Sequence, residues 1–91
     1  MKRSSQVYYT RVAEKDLGKI PKVIVFRILK KIADNASQPD VLLRAKALTG
    51  QFLGAYRYRV GEYRVIFIVD NKGNMVILTV LSIKHRKDIY K

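Results

Sequence analysis

The sequence predicts an α+β domain of order β-α-α-β-β-β, in which an antiparallel sheet carries two N-terminal helices on one face. Apolar residues recur at helical spacing in the first half of the chain, whereas the second half contains three strand-like runs. The turn-forming pair Gly61-Glu62 separates the first two of those runs. A chain of 91 residues is long enough for one small core, so residues 1–91 are expected to form a single domain.

The first half contains one short strand and two amphipathic helices. Residues 6–10 are aromatic and β-branched, which is typical of a strand. Residues 11–19 place Ala13, Leu17 and Ile20 on one helical stripe, and the helix is expected to end near Gly18. A second helix is expected to begin at Pro21, which suits a first turn because its missing N–H is not needed there. Its apolar stripe consists of Val25, Ile28, Leu29, Ile32 and Ala36.

The second half is predicted to form a three-stranded meander. Its strands are residues 55–60, 63–69 and 75–83, and turn residues at 61–62 and 70–74 separate them. Residues 41–48 fit either a short helix or an ordered loop. Both helices can then bury their apolar stripes against one face of the sheet.

The turn fixes which side chains share a face of the sheet. A type II′ turn at Gly61-Glu62 pairs Val60 with Tyr63 and therefore sets Arg59 opposite Arg64. Alternate residues point the same way, so the solvent face is expected to carry Arg57, Arg59, Arg64, Ile66 and Ile68. The opposite face, covered by the helices, is expected to carry Tyr56, Tyr58, Val60, Tyr63, Val65, Phe67 and Val69.

Three arginines on one face suggest an anion-binding surface. The chain has 19 Lys and Arg against seven Asp and Glu, a formal charge of +12, which is more than solubility requires. Like charges opposed across strands destabilise a sheet, and the guanidinium fork suits phosphate because it donates two hydrogen bonds at once. The alternative is that these arginines only decorate the wet face of an antiparallel sheet.

Other classes of function are disfavoured by what the sequence lacks. It has no cysteine, no cluster with metal-ligand spacing and no glycine-rich phosphate loop, so no metal or other cofactor is expected. No apolar stretch is long enough for a signal peptide or a membrane span, which favours a soluble, cytoplasmic protein. RNA brings its own nucleophile, the 2′-hydroxyl, so a cationic site without a metal can cleave it by positioning and charge stabilisation.

The C-terminal segment supplies further candidates for such a site. Lys84, His85 and Lys87 are expected to bind substrate, and Arg86 adds a fourth guanidinium. His85 is a candidate acid or base because histidine is the residue type most often used for proton transfer near neutral pH, although a single histidine at a strand end is more often structural. Tyr90 could stack on a base and take part in proton transfer.

The sequence resembles the RelE/ParE superfamily of toxins from toxin–antitoxin systems, and most closely its RelE branch of mRNA interferases. The resemblance rests on AEKDL at 13–17, KALTG at 46–50, YRYRVGEYRVIF at 56–67 and KHRKDIY at 84–90. It implies a toxin that enters the ribosomal A site and cuts mRNA through 2′-hydroxyl attack, leaving a 2′,3′-cyclic phosphate. It also implies a RelB-like antitoxin as partner.

The resemblance further implies which residues act. The residues that match the family's functional positions are Arg57, Arg59, Arg64, Arg86 and Tyr90. The resemblance implies that the arginines orient and neutralise the phosphate, and that Tyr90, or as an alternative His85, handles a proton. The first two positions are lysines in the best-known RelE members, and arginine is a poor proton acceptor. Two alternatives remain: a ParE-like toxin that binds DNA gyrase, and an RNA-binding or ribosome-binding protein without catalysis.

Overall fold

In the computed structural model, which describes residues 4–89, the chain forms a five-stranded sheet with two helices packed on one face. The predicted α+β architecture is confirmed. The elements are β1 (Ser4–Tyr9), α1 (Arg11–Gly18), α2 (Lys22–Ala36), β2 (Lys46–Ala47), β3 (Tyr56–Val60), β4 (Tyr63–Lys72), β5 (Met75–His85) and α3 (Arg86–Ile89). No helix in this range is long and apolar enough to span a membrane.

The sheet has the strand order β1-β5-β4-β3-β2. The meander of β3, β4 and β5 is antiparallel, as expected, but β1 pairs with β5 in parallel. A parallel pairing requires a long connection between the strands, and here the two helices and the meander provide it. The sequence predicted an antiparallel sheet, and the parallel direction of β1 differs from that prediction.

Two local features clarify what the sequence left open. Residues 41–45 form a turn and an irregular segment, and Lys46–Ala47 then adds a two-residue strand to the edge of β3. Pro21 occupies the N-cap position of α2, with φ −54°, one residue before the helix that it was expected to open. The N-cap of α1 is Thr10, whose hydroxyl accepts a hydrogen bond from the Ala13 amide at 3.1 Å.

The core lies between the helices and the inward face of the meander. The helices contribute Ala13, Ile28 and Ile32, and the sheet contributes Tyr58, Val65, Phe67, Leu78, Val80 and Ile83. The Tyr58 and Phe67 rings stack with their centroids 4.2 Å apart, and the Tyr58 hydroxyl donates to the Val41 carbonyl at 2.5 Å. Burial, assisted by the nearby Asp40 carboxylate, raises the pKa of Tyr58 to about 12. Of the inward tyrosines, Tyr58 is fully buried, and Tyr56 and Tyr63 are partly buried against the core.

Candidate functional site

The register of the β3–β4 hairpin places the three arginines of the second half on one face. Val60 pairs with Tyr63, Arg59 pairs with Arg64, and Arg57 pairs with Ile66. Gly61 has φ +58°, and in the described chain only glycines have positive φ, so Glu62 does not. Positive φ at the first central residue alone is the pattern of a type II′ turn. The outward side chains of Arg57, Arg59 and Arg64 are called the arginine face below.

Arg64 differs from its two neighbours because it is buried. Its relative exposure is 9%, whereas Arg59 is exposed and Arg57 is half-buried. The sequence predicted a face open to solvent at this end. Arg64 lies on β4, the central strand, so side chains of β3 and β5 flank it on both sides. Its Nη1 atom is shielded from solvent and has no hydrogen-bond partner within the described residues.

Among the side chains that the structure describes, residues 5–87, no carboxylate neutralises the arginine face. The two ion pairs among these side chains join Lys84 to Asp16 and Arg86 to Glu62, and neither involves these arginines. A buried polar group without a partner costs about 1–3 kcal/mol, and a charged one costs more. The fixed charge of arginine cannot be relieved by loss of a proton. Within the described residues, Arg64 Nη1 is therefore left without an acceptor.

Lys84 extends the row of cations across the sheet, although its ammonium group points elsewhere. Lys84 on β5 pairs with Arg64 on β4, and Arg64 pairs in turn with Arg59 on β3. The Lys84 Nζ donates to Asp16 Oδ1 at 3.0 Å, at the end of α1. The register shifts between Ile66 and Phe67, where β5 carries the extra residue Leu81.

Asp16 is a structural residue that the sequence analysis missed. Its side chain is buried, and its Oδ2 accepts a hydrogen bond from the Ile83 amide at 2.9 Å. Strand β1 ends at Tyr9, so the edge of β5 beyond that point has no strand partner, and Asp16 binds it instead. The signal was available, because Asp16 lies three residues after the buried Ala13 and so on the inward stripe of α1.

Arg86 is held at the tip of the hairpin. Its Nε lies 2.6 Å from a carboxylate oxygen of Glu62, and its backbone N–H donates to the Glu62 carbonyl at 2.7 Å. Both side chains are about half exposed, at 49% and 57%. Glu62 thus fixes the start of α3 against the β3–β4 turn, beside the arginine face.

His85 lies on the other side of the sheet from the arginines. It pairs with the inward-facing Tyr63, and the two rings meet edge to face with centroids 5.2 Å apart. Its Nδ1 accepts a hydrogen bond from the Lys87 amide at 3.2 Å. The Lys87 side chain is exposed. Tyr90 lies outside the described residues.

The structure thus brings together some of the predicted site residues and separates others. Arg57, Arg59 and Arg64 share one face, with Lys84 in register and Arg86 at the adjoining turn, whereas His85 faces the helices. Within residues 4–89 no three His, Cys, Asp or Glu side chains are grouped as a metal site would require. Glu62 joins Asp16 as a residue that the sequence analysis did not include in the site.

The chain is similar to toxins of known toxin–antitoxin systems over nearly its whole length. Residues 7–90 match the family model described as ParE toxin of the type II toxin–antitoxin system parDE. Toxin RelG of Mycobacterium tuberculosis is 30% identical over 85 residues, covering 93% of this chain and 94% of that protein.

Solved structures of toxin–antitoxin complexes contain chains with the same fold. A chain of the RelBE2 complex from Mycobacterium tuberculosis matches with a TM-score of 0.75 and 28% identity, covering 94% of both chains. A chain of the RelB–RelE complex from Methanococcus jannaschii matches with a TM-score of 0.61 and 30% identity, covering 92% of this chain and 95% of that one. These similarities confirm the resemblance seen in the sequence: the chain is a toxin of the RelE/ParE superfamily of type II toxin–antitoxin systems.

Proposed function

We propose that this toxin is a ribosome-dependent endoribonuclease that cuts mRNA in the A site and so inhibits translation. The observation that supports the proposal is Arg64, a buried guanidinium whose Nη1 has no partner in the described chain, directly opposite Arg59. A phosphodiester would supply the missing acceptor oxygens and offset the repulsion between the two arginines. The cytoplasm is the proposed site of action because ribosomes are there.

The proposed reaction is an in-line transfer within the RNA. The 2′-oxygen forms a bond to phosphorus, the bond to the 5′-oxygen breaks, and a 2′,3′-cyclic phosphate remains. One proton leaves the 2′-hydroxyl and another reaches the 5′-oxygen. Arg57, Arg59, Arg64 and Arg86 would bind the non-bridging oxygens and stabilise the charge that develops on them, a role worth several kcal/mol for well-placed donors.

The acid–base roles are proposed from the chemistry of arginine, the position of His85 and the family resemblance. Arginine keeps its proton, so the arginine face is suited to charge stabilisation rather than to proton transfer. His85 faces the opposite side of the sheet, and we therefore do not assign it a proton transfer at a phosphate held by the arginines. Tyr90 is the proposed participant in proton transfer, as the family resemblance implies. Lys84 and Lys87 are proposed to bind more distant parts of the RNA.

The ribosome is proposed to supply the substrate geometry. Four arginines can hold a phosphate, but alignment of the 2′-hydroxyl requires that the RNA itself be held. A chain of charge +12 would be steered to the ribosome by rRNA phosphates. A RelB-like antitoxin is the proposed inhibitor, since the similar chains of known structure come from RelB–RelE complexes.

The test is single-turnover cleavage of mRNA on programmed ribosomes, with the 3′ ends mapped. We expect cleavage in the A-site codon and slow or no cleavage of the same RNA when it is free. Arg64→Ala should lower the rate roughly 10²-fold and leave ribosome affinity nearly unchanged, because a contact made mainly in the transition state acts on rate. Arg27→Ala, an exposed arginine of α2, is the matched control. Equal rates on free and ribosome-bound RNA would refute the ribosome dependence.

A second candidate function is DNA gyrase inhibition, because the matched family model is described by ParE. A toxin acting in that way would leave mRNA intact and would tolerate Arg64→Ala. Supercoiling by purified gyrase in the presence of the toxin, measured beside the mRNA assay, separates the two candidates. A third candidate, RNA or ribosome binding without catalysis, would give ribosome association with no new mRNA ends in any variant.

A further inference from the structure

A cleft of about 180 Å³ lies on the helix side of the sheet, away from the arginine face. One wall is the end of α1 and the residues after it. The other wall is formed by the first residue of β4 and the last residues of β5. The cleft is lined by Asp16, Lys19, Ile20, Tyr63, Ile83, Lys84 and His85. None of the four arginines of the proposed active site lines it. It is therefore a separate feature of the surface.

The polar groups around this cleft are mostly hydrogen-bond donors. Lys19 is exposed and forms no ion pair with the described side chains of residues 5–87. Lys84 Nζ uses one of its three protons on Asp16. His85 Nδ1 accepts from the Lys87 amide, so in the neutral ring the proton is on Nε2, which is then a donor.

The single carboxylate in the cleft is already engaged. Asp16 accepts the Lys84 ammonium on Oδ1 and the Ile83 amide on Oδ2. It therefore positions Lys84, and the Lys84 ammonium offsets its charge. A ligand that brings acceptor oxygens of its own, as an anion does, matches the donors of Lys19, Lys84 and His85.

The cleft has the size and the position expected for part of an RNA chain. A single water molecule needs only about 10–15 Å³, so a volume of about 180 Å³ holds a phosphate group with room to spare. Lys84 links the cleft to the arginine face, since its backbone pairs with Arg64 while its ammonium reaches the cleft. The positively charged side chains therefore form a row that runs from the arginine face through Lys84 to Lys19 in the cleft.

We infer that this cleft is a second phosphate-binding site, which holds an RNA phosphate away from the scissile linkage through Lys19, Lys84 and His85. The inference rests on the proposed function, because RNA is its ligand. Asp16 acts as the positioning residue for Lys84. The site would anchor the strand by charge and hydrogen bonding, without taking part in bond cleavage.

The first test measures binding of a short, fully 2′-O-methylated single-stranded RNA at several salt concentrations. Such an RNA lacks the 2′-hydroxyl and cannot be cut, so the result is independent of whether the toxin is a nuclease. Lys19→Ala should weaken binding several-fold and reduce the slope of log K against log salt by about 0.7, the value for one lost phosphate contact on a single strand. Lys19→Arg should keep both.

The matched control is Lys31→Ala, which removes an exposed lysine of α2 outside the cleft. Equal losses from Lys19→Ala and Lys31→Ala would overturn the inference, because the effect would then follow net charge alone. The proposed nuclease activity would be untouched by that result, since it is tested separately by Arg64→Ala on ribosomes.

A second test titrates the protein with inorganic phosphate and follows backbone amide resonances by NMR. Saturable shifts at Lys19, Ile20 and His85 that are lost in Lys19→Ala are expected. If phosphate leaves these amides unmoved while a short Asp/Glu-rich peptide shifts them, the cleft binds an acidic protein segment, and the assignment to RNA is wrong.

Discussion

Arg59 and Arg64 lie directly opposite each other across β3 and β4, and neither forms an ion pair with an acidic side chain in residues 5–87. Opposite charges that face each other across two strands stabilise the pair by roughly 0.2–1 kcal/mol, and like charges in the same positions destabilise it. The burial of Arg64 adds to this cost. Because small domains are only marginally stable, folding stability does not explain this arrangement.

Replacing Arg64 by Met should therefore stabilise the protein while it removes activity. Met fills much of the space of the arginine stem without a charge, and relief of a buried unpaired donor is worth about 1–3 kcal/mol. Urea unfolding should show a higher midpoint with an unchanged slope, and cleavage on ribosomes should be lost. The control Arg27→Met, on the exposed side of α2, should change stability by less than about 0.5 kcal/mol. A large loss of stability in Arg64→Met would mean that this arginine holds the fold together.

Replacing Glu62 by Gln should release Arg86 for RNA. The ion pair between them is half exposed, so its loss should cost less than about 1 kcal/mol of folding stability. A released guanidinium can contact one more phosphate, which raises RNA affinity and steepens the salt dependence by about 0.7. Anisotropy titrations with 2′-O-methylated RNA measure both.

Glu14→Gln provides the matched control for Glu62→Gln, because it changes the net charge equally at an exposed position on α1. If both variants gain affinity to the same extent, the gain comes from net charge, and Glu62 does not compete with RNA for Arg86.

The sequence predicted the hairpin and its faces because two local rules determine them. A two-residue turn with glycine first sets the register, and the alternation of strand side chains then assigns every residue from Tyr56 to Val69 to a face. The helices were predicted equally well, since their apolar stripes have helical spacing. These elements depend on neighbours in the chain, and a single sequence carries that information.

Features that depend on distant pairings could not be predicted in the same way. The bulge at Leu81 sets the register of Lys84 against Arg64, and no turn adjoins it. The alternation of side chains predicted that Arg64 faces solvent. Its burial follows from the central place of β4 in the sheet, which depends on distant pairings. The role of Asp16 could not be predicted because its hydrogen-bond partners are 67 and 68 residues away in the chain.

Asp16→Asn should destabilise the protein by about 1–3 kcal/mol. An asparagine oxygen can accept from the Ile83 amide, but its NH₂ group would then face the Lys84 ammonium, and two donors cannot pair. Urea unfolding measures the loss, and Asp34→Asn, at an exposed position on α2, should be nearly neutral. Comparable stability of the two variants would show that the contact between Asp16 and the Lys84 ammonium contributes little to the stability of the fold.

The last prediction concerns alkaline stability and Tyr58. Its pKa of about 12 in the folded protein exceeds the ordinary value of 10.0, because burial disfavours the phenolate. A group whose pKa is raised by folding stabilises the fold fully below its unfolded pKa, and that stabilisation is lost as pH rises through the folded pKa. Tyr58 should therefore reduce the free energy of unfolding between about pH 10 and pH 12, by up to about 3 kcal/mol.

Tyr58→Phe loses the hydrogen bond to Val41 and starts from lower stability at neutral pH, but it has no phenol to ionise. Urea unfolding at a series of pH values should show the wild-type advantage shrinking, and then reversing, as pH rises. Tyr8→Phe, at a position that is 52% exposed, should follow the wild type throughout. Parallel curves for wild type and Tyr58→Phe would contradict the assignment, because the alkaline loss would then come from other groups.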